Sequence, residues 1–322
     1  MSKKLMWSML IHLGYNMWYE EGNDRGMSYV KQSGVMASST LRLNRKLWDD
    51  YMLYQRECGV NTLIIDLGEG IRYESHPELA VNGSWSRDEI SRELDRLRSM
   101  GFEVVPKLNF SACHDEWLKD YSHMLSTPIY YQVCADLIQE VCEIFQPKFF
   151  HLGMDEETYN HQRAYNYVVI RQNDLWWKDF YHLVDCVEKQ NVRPWIWSDY
   201  IWNHPDTFLE KMPKTVLQSN WYYGMGFENP QEGEDVYINS FDLLEKHGYD
   251  QVPTGSNWSR RENMEALVRY CSDRISPHHL LGFMQTPWVN FEAHNRNVLL
   301  EAADTLAEAK RAYEDKHGCT ND

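Results

Sequence analysis

The sequence predicts an α/β chain folded as a single (β/α)8 barrel over residues 1–322. Three observations carry this expectation. Eight short apolar runs recur along the chain, each ending in polar or aromatic residues. Amphipathic stretches of helical period stand between them. No low-complexity linker or repeat divides the chain, and a hydrophobic content of 43% is enough for one large core.

In order, the runs are MWSMLIHLG from Met6, NTLIIDLGEG from Asn61, FEVVPKLNF from Phe102 and FFHLGMDEE from Phe149. RPWIWSDY from Arg193, TVLQSNWYYG from Thr215, YDQVPTGSNW from Tyr249 and LLGFMQTPWV from Leu280 complete the set. Helical spacing places Leu43, Leu47, Trp48, Tyr51 and Met52 on one side of 41–58. Ser86 precedes a stretch in which Ile90, Leu94 and Leu97 share a stripe, and Gly101 is its stop signal. Residues 128–145 align Val133, Leu137, Val141 and Phe145; 174–190, 261–272 and 293–316 read similarly. Between the fifth and sixth runs there is room only for a stub around TFLEKM. The segment 15–39, rich in Gly, Ser and charge, reads as a mobile loop over the site.

Composition narrows the partners. A net charge of −16 opposes nucleic acid and anionic membrane surfaces and leaves a neutral or cationic small ligand. The 13 Trp and 20 Tyr suit stacking on flat ligand faces. Lys3 and Lys4 precede an apolar run, but it is short, is broken by His12 and has no small-residue cleavage site, so it reads as a strand and not a signal peptide. No stretch reaches the length of a membrane span. The 7 cysteines include no CxxC pair and are odd in number, as expected for free thiols in a reducing cytoplasm. Barrels of this size are often dimers, and a homodimer is left open.

A barrel concentrates chemistry at the C-terminal ends of its strands. Those ends carry Asn16, Asp66, Glu69, Asn109, Asp155, Glu156, Trp197, Asp199, Trp221, Tyr222, Asn257 and Trp288. Carboxylates and amides bond hydroxyls, and indoles stack on the apolar faces of a pyranose, so this set fits sugar recognition. No HxH or HExxH spacing points to a metal, and no glycine-rich loop opens a helix as a phosphate site requires. No cofactor is expected.

The fourth run places three acids directly after an apolar strand. Its segment His151, Leu152, Gly153, Met154, Asp155, Glu156 resembles the strand-four motif His-x-Gly-Gly/Ala-Asp-Glu of family 20 glycoside hydrolases, the β-N-acetylhexosaminidases. The stretch GIRYESHPELAVNGSWSRDEISRELDRLRSMGFEVVPKLNFSACH is similar to the family's segment from strand two to strand three. PWIWSDY, VLQSNWYYG and TPWVNFE resemble its strand ends five, six and eight. The resemblance implies substrate-assisted retaining hydrolysis of a terminal N-acetylhexosamine from a small oligosaccharide or glycoconjugate. Asp155 would orient the 2-acetamido group, and Glu156 would be the general acid/base. His114 would line the site, and Trp197, Trp221 and Trp288 would form the sugar platform. Apolar walls from Trp197 and Trp221 would raise the Glu156 pKa.

Several positions depart from the family. Asn16 stands where it has a sugar-holding Arg, and Asp66-Leu67-Gly68-Glu69 replaces His-Leu-Thr-Asp. Pro106-Lys107-Leu108-Asn109 replaces Pro-Glu-x-Asp, and Trp288-Val289-Asn290 replaces Trp-x-Glu, with Glu292 beyond. Asn16, Asp66, Glu69, Asn109, Asp199 and Tyr222 are therefore read as rebuilt substrate contacts. His151 is read as a core histidine, Lys107 as the partner of a nearby acid, and Glu157 as a bystander. A glycosidase of other specificity and a sugar-binding barrel without turnover stay open beside the leading reading.

Overall fold

Eight strands with parallel pairing form a nearly closed barrel in the computed structural model, which describes residues 5–21 and 35–318. They are β1 (Met6–His12), β2 (Thr62–Asp66), β3 (Glu103–Lys107), β4 (Phe149–His151), β5 (Arg193–Trp197), β6 (Leu217–Ser219), β7 (Thr254–Gly255) and β8 (Gly282–Gln285). Each expected run contains one of them. The hydrogen-bonded order β6-β5-β4-β3-β2-β1-β8-β7 leaves one seam, between β6 and β7. Single bridges close it: Val252 N–H donates to Gln218 C=O at 2.9 Å and Thr254 N–H to Asn220 C=O at 3.0 Å. Between these donors lies Pro253, which has no N–H, and β7 is accordingly much shorter than its run.

Local signals set the helices. Ser86 accepts from Glu89 N–H while the Glu89 carboxylate reaches back, a capping box that starts Arg87–Ser99. Thr127 caps Pro128–Phe145. Asp174–Glu188, Asn263–Arg274 and Arg296–His317 match expected helices, and Pro205–Lys211 is the stub before β6. The helix Asp235–Lys246 between β6 and β7 was not anticipated; Ile238, Phe241 and Leu244 form its buried side. Among the described residues no helix is long and apolar enough to cross a membrane. Of the expected loop 15–39, residues 22–34 lie outside the described set, as do Lys3, Lys4 and Cys319.

Strand alternation sorts the core into two clusters. Met9, Ile11, Leu63 and Ile65 face the helices and meet Trp48, Leu94 and Leu97. Leu10, Ile64 and Val105 instead fill the barrel with Trp195, Leu217 and Met284. Two residues further along the same strands the interior changes character. His12 pairs with Asp66, Asp66 with Lys107, and Lys107 with His151, so four titratable side chains share one level on four adjacent strands. All are buried. Lys107 forms an ion pair with Asp66, as a partner for a nearby acid was expected to do. Burial pushes the Asp66 carboxyl up, and Lys107 offsets only part of this. Burial, then the Lys107 charge, keeps both imidazoles neutral.

A buried pair costs most when only half is removed. Lys107→Met should therefore lower unfolding stability by about 3–5 kcal/mol, and adding Asp66→Leu should recover most of that loss. Urea denaturation measures both; a double variant no more stable than the single one would contradict the pairing.

Candidate active site

In an extended strand, neighbouring side chains face opposite sides. The chain avoids this at the end of β4 by turning. Gly153, Met154 and Glu156 have φ of 72°, 72° and 58°, in the left-handed region. Gly153 has no alternative: a Cβ there would lie 1.9 Å from Asn109 Oδ1. That same Oδ1 accepts from Met154 N–H at 3.3 Å and Ser111 N–H at 3.0 Å, tying the turn to the end of β3. The Ser111 hydroxyl donates to Asp155 C=O. From the β5 side, Asp199 Oδ2 accepts from Glu156 N–H at 2.8 Å.

The turn delivers both acids to one cluster. Asn109 Nδ2 donates to Asp155 Oδ1 at 2.9 Å. His114 lies between the acids, with Nδ1 3.2 Å from Asp155 Oδ1 and Nε2 3.4 Å from Glu156 Oε2. His161 Nε2 is 3.4 Å from Glu156 Oε1. Burial alone would lower the His114 pKa, but the charge and hydrogen bonding of Asp155, and then Glu156, push it up to about 10. Burial acts to raise the Asp155 carboxyl; the charge and hydrogen bond of His114 outweigh it and lower it, with Lys107 adding. Glu156 behaves alike: burial raises it, yet hydrogen bonds from His114 and His161 hold it well below the usual carboxylate range. The expected raised Glu156 pKa is therefore reversed, because two imidazoles outweigh the apolar walls.

Around this cluster is a cavity of about 640 Å³. Asn109, His114, Asp155, Glu156, Trp197, Trp221 and Trp288 all line it. Trp197 and Trp288 lie 6.0 Å apart at 46°, and Trp221 stacks on Tyr223 at 4.9 Å. Trp288 Nε1 donates to the Tyr223 hydroxyl at 3.0 Å. The Tyr15 hydroxyl donates to Trp288 C=O at 2.7 Å, joining the β1 end to the β8 end.

Asn16, Asp66, Glu69, Asp199 and Tyr222 are not among the residues lining this cavity. Asn16 Nδ2 donates to Ser38 C=O at 3.0 Å and its Oδ1 accepts from Ser38 N–H at 2.9 Å. Asp66 is taken up by Lys107. Glu69 accepts from Tyr15 N–H at 2.8 Å and from Asn16 N–H at 3.1 Å. Tyr222 is buried beside the site, its hydroxyl accepting from Gly226 N–H at 2.9 Å. Asn257, another strand-end residue, donates to Val298 C=O at 3.1 Å. Glu157 is no bystander: its carboxylate is buried in an ion pair with Arg171, which also meets Asp179 at 3.4 Å. His151 is a core histidine whose Nδ1 accepts from Gly153 N–H at 3.1 Å.

Sequence reading missed Tyr15, Trp18, His161, Arg163, Tyr223 and Trp258, which also line the cavity. Alternation from Trp221 would have found Tyr223. His161 is on the short helix Tyr159–Gln162, with no strand-end signal. One nitrogen of His114 and one oxygen from each acid lie within 4.8 Å of one another, close enough to share a cation.

No family model matches the sequence. A β-hexosaminidase of Emericella nidulans is 21% identical over 219 residues, covering 54% of this chain and 36% of that protein. A lacto-N-biosidase of Bifidobacterium bifidum is 18% identical over 230 residues, covering 63% of this chain and 20% of that protein. The chain thus spans well under half the length of either relative. Among solved structures, a mutant Streptomyces plicatus β-hexosaminidase in complex with product GlcNAc matches with TM-score 0.60 and 11% identity over 99% of this chain and 70% of that one. The family 20 β-N-acetylhexosaminidase of Streptomyces coelicolor matches with TM-score 0.59 and 11% identity over 98% and 70%. These likenesses establish the barrel fold.

Removing the His161 imidazole should raise the Glu156 pKa, because its hydrogen bond favours the ionised carboxylate. In His161→Gln the midpoint of the Glu156 carboxyl titration, followed by carbon NMR, should move to higher pH. An unchanged or lower midpoint would contradict the pairing.

Proposed function

We propose that this barrel is a β-N-acetylhexosaminidase-like glycoside hydrolase. It removes a terminal N-acetylhexosamine from a small oligosaccharide or glycoconjugate by substrate-assisted retaining catalysis. The observation that carries this reading is the β4 turn, which brings adjacent Asp155 and Glu156 into one aromatic cavity. The relatives and solved structures similar to this chain support it.

In the proposed reaction the sugar stacks within Trp197, Trp221 and Trp288. The substrate's acetamido oxygen attacks the anomeric carbon as the bond to the leaving oxygen breaks. Ionised Asp155 accepts the acetamido N–H and stabilises the positive charge that spreads over the forming ring. The Tyr223 hydroxyl accepts from Trp288, so its own proton is available to the acetamido oxygen. Glu156 delivers a proton to the leaving oxygen, then takes one from the water that opens the cyclic intermediate. In the free site that proton resides on His114, whose Nε2 is 3.4 Å from Glu156. A bound sugar excludes water and disfavours the separated charges, which moves the proton to Glu156. The chain's free cysteines among the described residues support a reducing compartment such as the cytoplasm.

The ionised Glu156 of the free site favours a second reading, a sugar-binding barrel without turnover. Assays with aryl β-N-acetylglucosaminide and galactosaminide, and with plain aryl glycosides, separate them. The expected result is turnover of a 2-acetamido substrate, reduced about 10²–10⁴-fold by Glu156→Gln. Turnover of plain glycosides alone would overturn the acetamido mechanism. Sugar binding that Glu156→Gln leaves intact, with no turnover across the panel, would favour the second reading.

A further inference from the structure

We infer that Asp199 is a positioning residue that aims Glu156 through its backbone; this rests on the glycosidase reading above. Asp199 follows β5, is 8% exposed and is not among the residues lining the cavity. Its Oδ2 accepts from Glu156 N–H at 2.8 Å. That N–H belongs to a residue at φ 58°, a conformation that L side chains rarely adopt. On the other side of the same residue, Thr158 N–H donates to Glu156 C=O at 2.7 Å. The peptide before Glu156 is therefore held at its N–H by Asp199 and at its C=O by the Ser111 hydroxyl, and the peptide after it by the loop's own backbone.

This arrangement complements the one on Asp155. Asn109, after β3, binds the Asp155 carboxylate at 2.9 Å and the Met154 N–H at 3.3 Å. Asp199, after β5, binds the Glu156 N–H. The strands on either side of β4 thus hold two alternate peptides of one turn, and each helps fix the direction of one acid. Asp199 Oδ1 is buried without a hydrogen-bond partner among the described residues, so no competing contact draws the side chain away. Burial, and then the charge of Asp155, push the Asp199 carboxyl well above its usual range, which favours the neutral form. An asparagine has the same shape, the same neutral charge and an oxygen that can accept the same N–H.

The test compares Asp199→Ala with Asp199→Asn on an aryl 2-acetamido glycoside, with thermal melts of each. The expected result is a kcat about 10–100-fold lower in Asp199→Ala, with KM within about twofold of wild type. Asp199→Asn should restore kcat to within about threefold, because the acceptor is kept. A wild-type kcat in Asp199→Ala would overturn the inference. So would a tenfold rise in KM with unchanged kcat in Asp199→Asn, the signature of a lost sugar contact. That second outcome decides the matter even where Asp199→Ala does not fold. A wild-type protein inactive on every glycoside would overturn the glycosidase reading and this inference with it. Wild-type turnover that Asp199→Ala leaves intact would overturn the inference alone.

Discussion

Two side chains that are adjacent in an extended strand face opposite directions. Asp155 and Glu156 nevertheless line one cavity. The left-handed turn at the end of β4 reconciles these facts, and the rest of the site is organised around holding it. Gly153 permits the turn because Asn109 occupies the space a Cβ would need. Met154 and Glu156 adopt the same region despite carrying side chains. Left-handed backbone costs an L residue roughly 1–2 kcal/mol, so it persists only where neighbours hold it. Here the neighbours are β3 and β5, and the barrel's hydrogen bonds fix their spacing.

Charge compensation is the second constraint. A buried carboxylate needs a cation or several donors. Asp66 has Lys107, Glu157 has Arg171, and the Asp155–Glu156 pair has His114 between its members. Among the described residues Glu69 is served by the backbone N–H groups of Tyr15 and Asn16, while burial leaves its pKa at about 6. Asp199 accepts from Glu156 N–H, and burial and the Asp155 charge push it towards neutrality. The barrel interior thus passes from an apolar layer, through the row His12, Asp66, Lys107 and His151, to the catalytic candidates. Ionisation at the cavity floor depends on which acids that row and His114 satisfy.

Much of the fold was legible because each strand required a short apolar run and most helices required a stripe or a cap. The helix Asp235–Lys246 escaped because its apolar side is narrow and it follows a polar, glycine-containing segment. The acid pair was legible from its place after an apolar strand and from a motif resemblance. The other contacts were less so, for one recurring reason. A strand-end position places a residue near the cavity without saying which way it points. Tyr222 and Tyr223 are neighbours, yet only Tyr223 lines the cavity. Asn16 and Tyr15 divide in the same way. Asp66 and Glu69 are turned to structural use by partners 41 and 54 residues away in the chain, which no local pattern reveals.

In the proposed reaction the substrate's own acetamido oxygen is the nucleophile, and Asp155 orients it. Aryl glycosides bearing acetyl, monofluoroacetyl, difluoroacetyl and trifluoroacetyl groups on the 2-amino nitrogen test this directly. Each fluorine withdraws electron density from the carbonyl oxygen while changing its size little. Attack by that oxygen requires a kcat that falls steeply and monotonically along the series. A kcat that is flat across all four substrates would contradict it, because a nucleophile supplied by the protein or by water would not respond to that oxygen.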